Sequence, residues 1–83
     1  MNPAILRARQ IKALYQREIT ALNRNPHLGD EERREHAVRL WRQATDQIAR
    51  LRDSVAAEFD SFDNADQKIF DPPRRPAYLD KIE

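Results

Sequence analysis

The sequence predicts an all-α protein: an antiparallel two-helix hairpin of coiled-coil type, followed by an extended, proline-containing C-terminal tail. Three observations predict it. Apolar residues recur at helical spacing from Ala4 to Leu22 and again from Ala37 to Phe62. One turn-forming cluster, Asn25-Pro26-His27-Leu28-Gly29, separates the two runs. The 83 residues include one glycine and no cysteine. That composition argues against tight β-hairpins, which favour glycine or asparagine at positive φ, and excludes a disulfide framework.

The first helix is expected over residues 3–24. Asn2 is a ready N-cap, and Pro3 stands where a first helical turn tolerates it. Ala4, Ile5, Ala8, Ile11, Tyr15, Ile19 and Leu22 fall within an arc of about 120°. Residues 25–29 form the turn, because Pro26 biases Asn25 away from helical angles and Gly29 adds backbone freedom. Asp30 then reads as an N-cap, with Glu31 and Glu32 at the positive end of the next helix dipole. That second helix is expected over residues 30–62. Trp41, Ile48, Val55 and Phe62 recur every seven residues, with Ala37, Ala44 and Leu51 interleaved. Glu35–Arg39 and Asp46–Arg50 are spaced for i,i+4 pairing on the outer face. The tail, residues 63–83, is expected to be a linker. Asp71-Pro72-Pro73-Arg74-Arg75-Pro76 must be extended, and Tyr78, Leu79 and Ile82 make a small apolar tip.

Folding the chain about residue 27 pairs Ile19 with Ala37, Tyr15 with Leu40 and Trp41, Ile11 with Ala44, Ala8 with Ile48, and Ile5 with Leu51. The hairpin core is thus expected to be Ile11, Tyr15, Ile19, Leu22, Leu40, Trp41, Ala44, Ile48 and Leu51. At about 1.5 Å per residue, the first helix spans roughly 32 Å and the second roughly 50 Å. Val55, Phe59 and Phe62 therefore overhang. Leaving them wet forfeits roughly 1.5–3 kcal/mol each. A second copy, a different protein or the folded-back tail must cover them. The expected cover is a second copy completing a four-helix bundle, or a larger protein assembly. On that reading Val55, Phe59, Phe62, Phe70, Tyr78 and Leu79 form a protein interface.

Charge is asymmetric along the chain, which has a formal net charge of +1. Residues 1–24 are basic and residues 53–83 acidic, so the two ends are expected to attract each other. The remaining chemistry is sparse. His27 and His36 are the only histidines and do not share a helical face in a ligand pattern. The acidic run Asp60, Asp63, Asp66 and Asp71 fails the EF-hand template. Ser54 and Ser61 lack a candidate base. No catalytic residue, metal ligand or cofactor is expected, and the protein reads as a non-enzyme. Nucleic-acid contact is the alternative, through Arg33, Arg39, Arg42 and Arg50 on the second helix. A phosphate-tracking surface concentrates one sign, however, and Glu35, Asp46 and Asp53 lie among these arginines. Pro73-Arg74-Arg75-Pro76 has PxxP spacing but reads first as a rigid spacer. No apolar run nears the roughly 20 residues that span a bilayer.

Ile19, Leu22, Asn25-Pro26, Leu28 and Glu31-Glu32-Arg33 compose a helix–NPxL–EER–helix pattern. It resembles helical hairpins in bacteriophage virion-associated proteins, including those packaged or ejected with DNA, over Ile11 to Leu51. The resemblance implies a structural accessory role in a larger assembly and transfers no site residue. The expected location is cytoplasmic, or within a virion if the resemblance extends to function.

Overall fold

The Asn2 side chain accepts a hydrogen bond from the Ala4 amide at 2.8 Å and starts helix α1, Pro3–Arg24. The computed structural model describes residues 2–80, in which α1 is followed by α2, Asp30–Ser54, and α3, Asn64–Lys68. Two single 3₁₀ turns, Phe59–Ser61 and Ala77–Leu79, complete the described architecture. The long helices pack antiparallel, as the expected hairpin requires. Ala4, Ile5, Ala8, Ile11, Tyr15 and Ile19 of α1 are buried against Ala37, Ala44 and Ile48 of α2. Leu22, Leu40, Trp41 and Leu51 are partly buried around that seam.

The turn is built differently from its sequence expectation. Gly29, not Asp30, is the N-cap of α2, and its φ of −71° needs no glycine. An added Cβ at Gly29 would meet nothing within 4 Å. The loop is instead organised by side chains. Asn25 Oδ1 accepts from the His27 amide at 2.9 Å, and the Arg33 guanidinium donates to the carbonyls of Leu22, Asn25 and Leu28. One cation thereby pairs the Asn25 and Leu28 carbonyls, which the backbone of the turn leaves without a donor, and gives the Leu22 carbonyl a second donor beside the Asn25 amide.

The largest departure is the end of α2, at Ser54 rather than Phe62. Ala56, Ala57 and Glu58 are good helix formers, so local propensity favours continuation by a few tenths of a kcal/mol per residue. Continuation would carry Phe59 and Phe62 past the end of α1, whereas burying each is worth roughly 1.5–3 kcal/mol. Burial wins. The backbone tightens into i→i+3 bonds from Val55 to Arg52, Glu58 to Val55 and Ser61 to Glu58, and the chain bends over the start of α1. Asn2 Nδ2 fastens the bend by donating to Glu58 Oε1 at 3.2 Å.

The tail folds back and contributes core, contrary to the linker expectation. Asp63 caps α3 by accepting from the Asp66 amide at 2.8 Å. Phe70 then enters the gap beneath the bend and is 4% exposed. Its ring lies 6.0 Å from Phe59 edge-on and 6.3 Å from Phe62 in a stacked pose, two geometries that aromatic pairs favour. Gln67 Nε2 donates to the Phe59 and Phe62 carbonyls, locking α3 to the bend. From Pro72 to Pro76 the chain has no regular structure, as proline dictates, and lies along the hairpin. Ile82, part of the expected tip, lies outside the described residues.

Candidate interaction surface

The residues expected to face a partner are mostly occupied within the chain. Val55 is 6% exposed, and Phe59 and Phe62 are half-buried around Phe70. Tyr78 donates from its hydroxyl to Asn23 Oδ1 at 2.8 Å, and Leu79 packs against the same core. The assignment of Val55, Phe59, Phe62, Phe70, Tyr78 and Leu79 to an intermolecular interface is therefore corrected: the chain's own tail covers the overhang. The expected attraction between the basic first helix and the acidic segment is also met internally, by Arg9 and Asp66 at 3.6 Å.

Two aromatics, buried Tyr15 and partly buried Trp41, serve as anchors for the tail. Trp41 Nε1 donates to the Pro73 carbonyl at 2.8 Å and the Tyr15 hydroxyl donates to the Arg74 carbonyl at 3.0 Å. The Arg75 guanidinium covers the Trp41 ring at 5.2 Å from its centroid, a cation–π geometry. Burial, with Tyr78 adding to it, holds the Tyr15 hydroxyl above its ordinary value of 10.0, and Arg75 partly offsets this. Burial likewise raises Tyr78, against the opposing Arg33 charge. Lys12, which donates to the Lys68 carbonyl at 3.2 Å, is shifted down by burial despite Asp71 nearby. The sequence assigned Trp41 and Tyr15 to the core but offered no sign of their polar atoms' partners. Only folded carbonyl positions supply those.

The four arginines of the alternative nucleic-acid reading are not brought together as one phosphate-facing set. Arg33 is committed to the turn. Arg50 pairs with Asp46 at 3.2 Å as its spacing predicts. Arg39 meets His36 Nδ1 at 3.1 Å rather than Glu35. Arg42 is exposed. Among the described residues, no cluster of three or more metal-ligating side chains occurs, and no helix is long and apolar enough to cross a membrane.

What remains open is the side of the hairpin turned away from the tail. The tail engages Arg9, Lys12 and Asn23 of α1, whereas Arg7, Leu14 and Glu18 project from the other flank of the buried stripe. There a shallow groove runs between the helices. Its floor is Ile11, Tyr15, Leu40 and Ala44, and its rims carry Arg7, Leu14 and Glu18 on α1 and Gln43 and Gln47 on α2. The groove continues toward Arg50, Leu51 and Ser54. Leu14 is 53% exposed, a large apolar side chain beside an apolar floor. Leu6, 48% exposed, stands on the back of α1 outside the groove. In the sequence, Leu14 stands apart from the apolar arc of Ala4, Ile5, Ala8, Ile11, Tyr15, Ile19 and Leu22.

Comparison with protein-family models, with curated proteins and with solved structures finds no match for this chain.

Proposed function

We propose that this chain is a non-catalytic protein–protein interaction module that joins a larger assembly through the open side of its hairpin. The observation that carries the reading is Leu14, half exposed beside the uncovered groove of Ile11, Leu40 and Ala44. A two-helix layer protects one flank with its own tail and leaves the other bare, and an added helix on a bare flank completes a bundle. The resemblance of the turn to virion-associated hairpins points the same reading toward an accessory subunit of a phage-like particle.

The test is a photoreactive amino acid placed at Leu14 in the full chain and activated in the cells that make it, with the same residue at Leu6, on the back of α1, as control. A discrete adduct from position 14 and none from position 6 is the expected result. Equal labelling from both positions, or none from position 14, would overturn the proposal.

A further inference from the structure

The open side has a charge pattern that specifies its own occupant. Arg7, Ile11, Leu14 and Glu18 follow one another at spacings of four, three and four residues, the alternation of a coiled-coil seam. Arg7 and Glu18 bracket the groove's length on α1, and neither enters an ion pair among the described residues. Turning a second α1 antiparallel about the point between Lys12 and Ala13 superposes this row on itself with signs reversed. Arg7 then meets Glu18 of the other copy, and Ile11 meets Leu14, at both ends alike. A parallel arrangement would instead set Arg7 against Arg7 and Glu18 against Glu18, which repel.

Helix α2 is compatible with the same symmetry. Its contribution between Leu40 and Gln47 is uncharged, so no like charges meet near the axis. At the Arg7 end Arg50 is already paired with Asp46, so that pair adds no net charge to the face.

We infer that the partner on the open side is a second copy of this chain, docked as a two-fold dimer with α1 antiparallel to α1 and Arg7 facing Glu18 across the axis. This inference rests on the proposed interaction role of the same surface and names its occupant.

Solution mass by light scattering, over roughly a thousandfold concentration range, tests it on the full chain and three variants. Wild type is expected to reach twice the chain mass. Arg7→Glu and Glu18→Arg each exchange two attractions for two repulsions and should weaken dimerisation about tenfold. Arg7→Glu combined with Glu18→Arg restores the pairing and should recover wild-type dimerisation. Both side chains are exposed, so unchanged circular dichroism is expected throughout. A wild type that stays monomeric, single variants that dimerise like wild type, or a double variant that fails to recover would each overturn the antiparallel dimer. The Leu14 crosslink separates the two ideas. A monomeric protein whose Leu14 adduct contains an unlike chain defeats the dimer and spares the interaction role; a protein with no Leu14 adduct defeats both.

Discussion

The two flanks of the hairpin are lined by the same pair of helices, yet one is closed and the other open. On the closed flank each feature of α1 has a counterpart in the tail: Arg9 with Asp66, Lys12 with the Lys68 carbonyl, Asn23 with the Tyr78 hydroxyl. On the open flank Arg7, Leu14 and Glu18 line a groove that no other element of the described chain fills. Apolar content alone does not separate the flanks. The closed one has Trp41 and Tyr15, whose polar atoms pair the Pro73 and Arg74 carbonyls of the extended, proline-rich chain that lies there. The open one offers glutamines, a leucine and opposite charges, which suit another helix better than an irregular strand of chain. A tail chooses a flank by its backbone hydrogen bonds as much as by its apolar side chains.

The sharpest way to break the closed flank is Phe70→Ala. Its ring fills the space between Phe59 and Phe62, and truncating it should cost about 3–5 kcal/mol. Much of the stability of so small a domain would be lost, as a urea titration followed by circular dichroism will show. Next comes Arg33→Ala, which strips three carbonyls of a charged donor and should cost about 2 kcal/mol in the same titration. Arg33→Lys should recover only part of that loss, since a lysine does not reproduce the forked guanidinium geometry.

Trp41→Phe keeps most of the ring but removes the bond to Pro73, at about 1 kcal/mol. Its effect should be local, with faster tryptic cleavage between Arg74 and Arg75 while the far-ultraviolet spectrum holds. Alkaline pH probes the same anchors. The hydroxyls of Tyr15 and Tyr78 are raised in the folded state, so their stabilisation is complete below the unfolded value near 10. It falls as pH rises from there through the folded values. Lys12, lowered on folding, works in the opposite sense over its own interval below 10.5. The double variant Tyr15→Phe with Tyr78→Phe should therefore flatten or reverse the alkaline fall in urea midpoint. Smallest is the effect of Leu14→Ser on the open flank, within about 0.5 kcal/mol of wild-type monomer stability. A larger loss there would mean that Leu14 supports the hairpin itself, and the contrast between the flanks would dissolve.

Much of the hairpin was legible from the chain. Helix α1 begins and ends where Asn2, Pro3 and Asn25-Pro26 place its limits, and its buried residues are those of the apolar stripe. The lower half of α2 was legible for the same reason, because a 3.6-residue periodicity is a local property read along one helix. The end of α2 was not. The seven-residue repeat from Trp41 runs through Ile48 and Val55 to Phe62, and no glycine or proline marks Ser54 as a stop. Asp63 followed by Asp66 and Gln67 did hold a capping signal for α3, masked by the acidic composition around it. Leu14 is not among the residues of the apolar arc, and periodicity alone gives it no role. Its exposure depends on which flank the tail takes, a choice made some sixty residues away.

The sequence by itself determined two helices, their antiparallel pairing, the position of the turn and the existence of apolar surface beyond the reach of α1. Periodicity, capping and proline act over a few residues, so they survive in the linear chain. Tertiary structure alone decided how that surplus surface is covered. Bending α2 at Ser54 and seating Phe70 against Phe59 and Phe62 gains more through burial than uninterrupted helix gains through propensity. That comparison depends on distances between residues far apart in sequence. Only the folded chain brings them together.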